Sequence, residues 1–180
     1  MNFSKIIITG KTASGKNYLF NKLSKIIKNG LVKYTTRPIR KNETPDVDYK
    51  FIDTDQFLEK IESNEFIIHE SFKINDSTIW YYGISKKDFN DSNLFILTPG
   101  EINRLESLNL LNDSFIIYLD MNIELLKQRL IKRNSLTDTI ERRLESDEND
   151  FKDFIRYDLK IEDPNYNIQD ILKSIGIYHN

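Results

Sequence analysis

The stretch Gly10-Lys11-Thr12-Ala13-Ser14-Gly15-Lys16-Asn17 restricts the fold more than any other part of the chain. It completes the spacing G-x-x-x-x-G-K, and its flanks are as informative as its glycines. Ile6-Ile7-Ile8 runs almost directly into Gly10 without polar alternation, so it reads as a strand covered on both faces. From Lys16 to Ile27 the residues Leu19, Phe20, Leu23 and Ile27 recur at helical spacing, which predicts a helix over that range. In a strand, loop and helix of this kind the loop N–H groups point inward, and the helix N-terminus adds a favourable field for an anion. Phosphate suits such a loop, and Lys16 adds a positive charge that can follow the outer phosphates.

Two more continuously apolar runs, Leu94-Phe95-Ile96-Leu97 and Phe115-Ile116-Ile117-Tyr118-Leu119, are each followed by a helix signal. Thr98-Pro99-Gly100-Glu101 joins a Thr N-cap to Pro at the first helical position and Glu three residues after the cap. Ile123 to Arg133 places Leu125, Leu126 and Leu130 on one helix face. Repeated strand and helix predict an α/β fold with a parallel core sheet. The stretch from 33 to 89 reads differently. It has short polar-flanked segments (Asp48 to Ile52, Glu65 to Phe72, Ile79 to Gly83) and a helix from Asp55 to Ser63, the pattern of a small, partly antiparallel insertion. The core is then 1–32 and 90–180, with a mobile lid at about 134–140, a last strand from Leu159 to Glu162 and a closing helix from Ile168 to Ile175.

With 180 residues and 39% hydrophobic content, the chain can bury one sizeable core but not two full ones. Its 26 basic and 28 acidic residues nearly cancel, which argues against nucleic acid or membrane held by net charge. There is no cysteine, hence no disulfide or thiolate metal site. No apolar run approaches the ~20 residues of a membrane span, and the N-terminal run is too short for a signal peptide, so a soluble, cytoplasmic protein is expected.

A second anion site is visible in KYTTRPIRKNETPDVDYKFID, residues 33 to 53. Arg37 and Arg40 stand three apart around a proline, with Thr36 before them and Tyr49 after, a clamp suited to a second phosphate. Here the sequence resembles the guanylate kinase family, in which T-T-R-x-x-R followed by E-x-x-x-x-D-Y-x-F builds the nucleoside monophosphate (NMP) site. NEFIIHESF resembles the family's base-recognising segment, WYYG its Tyr-Tyr-Gly turn, and LKQRLIKRNSLTDTIERRL its arginine-bearing lid. The resemblance implies a P-loop NTPase three-layer fold with an NMP-binding insertion and a helical lid. It implies ATP and an NMP as partners, Mg2+ as cofactor and a monomer or homodimer.

Residue by residue, the resemblance assigns Gly10, Lys11, Thr12, Ala13, Ser14, Gly15, Lys16 and Asn17 to ATP, with Arg129 near the adenine. Thr36, Arg37, Arg40, Tyr49, Glu70 and Tyr82 are the candidates for the monophosphate. Lys16, Arg37, Arg133 and Arg143 are the catalytic candidates, the last two reaching the ATP phosphates from the lid. The reaction implied is in-line transfer of the γ-phosphoryl group, with GMP or dGMP the first acceptors. A deoxynucleoside monophosphate kinase for another base, or a binding module without turnover, are the alternatives.

Four places depart from the pattern, one of them Ile84, with Ser85 next, where a small hydroxyl usually follows the Tyr-Gly. Asn17 stands where a Ser or Thr hydroxyl normally holds Mg2+, leaving its amide oxygen as the metal ligand, directly or through water. A gapless count from Tyr49 puts Ile68 where the guanine-reading Glu is expected, and Glu70 lies two residues further, on the same face of a regular strand. The strand that often ends in two acidic residues reads Ile96-Leu97-Thr98.

Overall fold

The computed structural model describes residues 3–41, 43–75, 77–133 and 140–177, excluding the side chains at 75 and 133. In chain order the elements are β1 (Lys5–Gly10), α1 (Lys16–Leu23), β2 (Tyr34–Thr35), β3 (Lys50–Phe51), α2 (Thr54–Glu62), β4 (Phe66–Asn75), β5 (Thr78–Ser85) and α3 (Lys86–Asp91). They continue as β6 (Leu94–Ile96), α4 (Pro99–Ser107), β7 (Ser114–Leu119), α5 (Ile123–Arg133), α6 (Ile140–Phe151), β8 (Leu159–Ile161) and α7 (Ile168–Ser174). The chain forms two compact units, Met1–Lys28 with Asn93–Asn180, and Asn29–Ser92.

The larger unit is built on a parallel sheet of order β6-β1-β7-β8. The apolar run of β1 is central, which is why Ile6, Ile7 and Ile8 are all fully buried. Leu19 and Leu23 of α1, Leu126 and Leu130 of α5, and Leu172 of α7 close on that sheet in one cluster. The start of α4 forms as its residues predict. Thr98 accepts from the Glu101 N–H at 3.2 Å, while the Glu101 carboxylate accepts from the Thr98 N–H at 2.8 Å. α1 is shorter than the predicted Lys16 to Ile27. After Leu23 the chain tightens into turns and reaches a left-handed Asn29, yet Ile27 stays in the core.

The smaller unit holds a sheet of order β3-β2-β5-β4, antiparallel between β2, β5 and β4 but parallel between β2 and β3. One face packs on α2, where Phe57 stacks on Phe66 at 4.5 Å and lies 5.4 Å from Tyr81. Gly83 is required under those rings, because a Cβ there would meet the Phe66 and Phe57 rings at 2.8 and 2.9 Å. α2 begins on a capping box of Asp53 and Gln56. α3, capped by Ser85, was not foreseen in the sequence pattern. Among the described residues, no helix is long and apolar enough to cross a membrane.

Candidate functional site

Local backbone geometry makes the glycine loop. Gly10 has φ 150°, Ala13 φ 63° and Gly15 φ 107°, so three residues in six adopt positive φ. At Gly10 a Cβ would sit 2.7 Å from the Leu119 carbonyl oxygen, so the tight exit from β1 excludes any side chain. Ala13 holds a left-handed conformation that costs an L-residue roughly 1–2 kcal/mol, a strain typical of functional loops. The Lys16 ammonium donates to the Gly10 and Lys11 carbonyl oxygens at 2.6 and 2.9 Å, folding the side chain back along the loop. Gly15 gives α1 no side-chain cap, and no acidic residue lies in its first turn. A helix start of that kind suits an external anion. The Ser14 hydroxyl, 2% exposed and without a hydrogen-bond partner, gives a phosphate oxygen one more group to meet.

Arg129 of α5 comes to the same loop. Its guanidinium donates to the Ala13 and Ser14 carbonyl oxygens at 3.0 and 3.1 Å, so it braces the left-handed turn. Arg143 lies half-buried on α6, whereas Arg142 is exposed. The lid expected at about 134–140 falls, at 134–139, outside the described residues, as does the side chain of Arg133. Asn17 is exposed on the first turn of α1. No cluster of three or more His, Cys, Asp or Glu suited to a metal occurs among the described residues. That donor set fits Mg2+ carried by nucleotide phosphates and water, with one amide oxygen from the protein, rather than a carboxylate cage.

In the smaller unit, four of the six monophosphate candidates lie along one strip. Arg37, 4% exposed, has its guanidinium carbon 5.4 Å from the Tyr49 ring centre, and the Tyr49 and Tyr82 rings meet edge-on at 6.0 Å. Glu70 pairs across the strands with Tyr82. Arg40 is exposed on the turn beyond. Thr36 accepts the Tyr81 N–H at 3.0 Å through its hydroxyl, which keeps its own proton for another acceptor. Tyr81 packs on α2 from the opposite face of the sheet.

Glu43 is the residue that sequence reasoning did not single out. One of its oxygens accepts from the Arg37 guanidinium at 2.7 Å and the other from the Arg40 N–H at 2.8 Å. Burial pushes this carboxyl up, but the hydrogen bonds and charges of Arg37 and Arg40 outweigh it, and the group lies below its ordinary 4.5. The signal was present in E-x-x-x-x-D-Y, yet a glutamate among exposed loop charges reads as solvated until its partners are seen. Ile68 is 2% exposed and pairs with Ile84, after a bulge between Phe66 and Ile68. Within β4 and β5, Glu70 follows Ile68 on the face of Tyr82, as the spacing of two anticipated.

A parallel α/β sheet whose first strand feeds a glycine loop and an uncapped helix, with Arg129 braced against that loop, defines a P-loop nucleotide-binding protein. The model of the family described as guanylate kinase matches residues 3–176. A guanylate kinase of Mesomycoplasma hyopneumoniae is 35% identical, over 94% of this chain and 90% of the relative. One of Campylobacter jejuni strain RM1221 is 28% identical over 97% and 88%. The crystal structure of guanylate kinase from Anaplasma phagocytophilum shares the fold, with TM-score 0.66 at 21% identity, covering 97% of this chain and 84% of that one. The chain belongs to the guanylate kinase family.

Proposed function

We propose that this protein catalyses the ATP-dependent phosphorylation of GMP to GDP, with dGMP as a further acceptor. The observation that carries the reading is the intact loop: Gly10, Gly15 and Lys16 keep the spacing and the strained geometry of a phosphate cradle, in a chain matched to the family over residues 3–176. Gly10, Gly15 and Lys16 all remain, which favours turnover over a binding module.

In this reading the larger unit holds ATP. The loop and helix start meet its phosphates, Lys16 neutralises charge as it shifts during transfer, Arg129 lies by the adenine, and Arg133 and Arg143 belong to the lid. The smaller unit is the acceptor-binding insertion. Arg37 and Arg40, with Thr36, Tyr49 and Tyr82, hold the GMP phosphate, and Glu70 accepts hydrogen bonds from the base. The acceptor phosphate is already ionised near neutral pH, so no general base is needed. Asn17 would hold the Mg2+ bound with ATP, directly or through water, and that ion would supply charge neutralisation on the phosphate oxygens. The reading includes a cytoplasmic location and no nucleic-acid partner.

The test is diphosphate formation by purified protein with ATP and Mg2+, across GMP, dGMP, AMP, CMP, UMP and dTMP. Conversion of GMP and dGMP alone is expected. Turnover of another base in their place would transfer the activity to a different monophosphate, and no turnover with any acceptor would leave a binding module.

A further inference from the structure

α6 turns a distinct face inward. Ile140 and Leu144 pack against the hydrophobic core, and Phe151 stacks on Tyr118 at 5.3 Å with the rings 9° apart. Between them on that face lies Asp147, 9% exposed, and its contacts are unexpected for a carboxylate near a phosphate loop. One oxygen accepts the Thr12 N–H at 2.7 Å and the other the Thr12 hydroxyl at 3.1 Å. Next to it Glu148 pairs with Lys11 at 2.7 Å. The two acidic residues thus grip two consecutive residues of the loop, which fixes both the rotation and the axial position of α6 against it.

Arg143 is four residues before Asp147, so the two are neighbours on one helix face, and Arg143 is half-buried there while Arg142 is exposed. A helix pinned at Asp147 has little freedom to swing a group one turn away. We propose that Asp147 is a positioning residue: by gripping Thr12 it holds α6 in register with the phosphate loop and so aims Arg143. This rests on the reading of Arg143 as a lid arginine acting on ATP. The carboxylate does no chemistry itself, and both of its oxygens accept hydrogen bonds from Thr12.

The experiment is a double-mutant cycle on the full chain, comparing D147L, R143A and D147L/R143A. Misplacing a group by about 1 Å can cost of the order of a hundredfold. D147L should therefore lower kcat by about 10- to 100-fold and leave the KM for GMP within about twofold. The same substitution should cost less than about threefold in the R143A background, because the group it aims is gone. D147N, which keeps an acceptor for the Thr12 N–H, should recover most of kcat.

An equal loss in both backgrounds would overturn the proposal, since Asp147 would then act on the loop alone. A fall in the KM for ATP with kcat unchanged would also overturn it, showing a carboxylate that merely competes with phosphate. R143A by itself reports on the underlying reading: wild-type kcat there would remove the role of Arg143 and the proposal with it. Should D147L fold poorly, T12V deletes only the hydroxyl bond. Its expected loss of about threefold must likewise vanish in the R143A background, or the proposal fails.

Discussion

The phosphate sites proposed for the larger and smaller units are built by different means. In the larger unit the cradle is backbone: its shape comes from Gly10, Ala13 and Gly15 at positive φ and from a helix start without a cap. In the smaller unit the proposed clamp is made of side chains, and Arg37 keeps its place because Glu43 holds it and Tyr49 and Phe51 flank it. A backbone cradle follows from local conformation and tolerates little change at its glycines. A side-chain clamp follows from partners brought together by tertiary structure, and it can be retuned one contact at a time.

The largest expected effect tests the cradle. Lys16→Ala should lower kcat by about 10²–10³-fold while GMP binding, measured by calorimetry, stays close to wild type, because the two proposed phosphate sites share no residue. Equal loss of both would erase the distinction between the regions. A smaller effect should separate the clamp from its anchor. Glu43→Gln keeps the shape but loses a charge-assisted bond to a buried guanidinium, and the KM for GMP should rise about tenfold with kcat changed little.

The same pair has a pH signature. The Glu43 carboxyl is depressed in the folded protein, so its contribution to stability is present above the ordinary value of 4.5 and is lost as pH falls through the lower folded value. Thermal midpoints measured from pH 7 down to pH 3 should fall more steeply below about 4.5 for wild type than for Glu43→Gln. The smallest effect concerns the metal. Asn17→Ser replaces an amide oxygen by the hydroxyl usual at this position, and the Mg2+ concentration for half-maximal rate should drop by about two- to fivefold with the KM for GMP unchanged.

Legibility in the sequence follows the same division. The glycine loop, the capped start of α4 and the span of α5 could be read directly, since each depends on neighbours within a turn or a short loop. The proposed acceptor strip was readable as residue types through family resemblance, but its anchor was not. Glu43 owes its role to Arg37, six residues away across a turn, and no periodicity marks that relation. Asp147 sits in the acidic run Glu145-Ser146-Asp147-Glu148, which reads as solvated charge; only its spacing from Leu144 and Phe151 on the inward face hints otherwise. β2 and β3 have two residues each and pair in parallel across a long connection, too short for any alternation to announce them. α3 is likewise short and polar, and Ser85 followed three residues later by Asp88 was the one available signal.

The bulge between Phe66 and Ile68 also bears on how such a protein can change over generations. Strict alternation would put Phe66 and Glu70 on one side of the strand, yet Phe66 lies under Gly83 with the α2 rings while Glu70 stands beside Tyr82. One surplus residue therefore lets the buried half of β4 and the half that faces Tyr82 keep separate registers. Were Ile67 drawn into the ladder and the bulge shifted beyond residue 70, the register set by Phe66 would bring His69 opposite Tyr82 and Ile68 opposite Gly83. Lineages of this fold can therefore change the side chain that stands beside Tyr82 by a slip of register rather than a substitution at position 70, provided that Ile68 is repacked against the rings of Phe57 and Phe66.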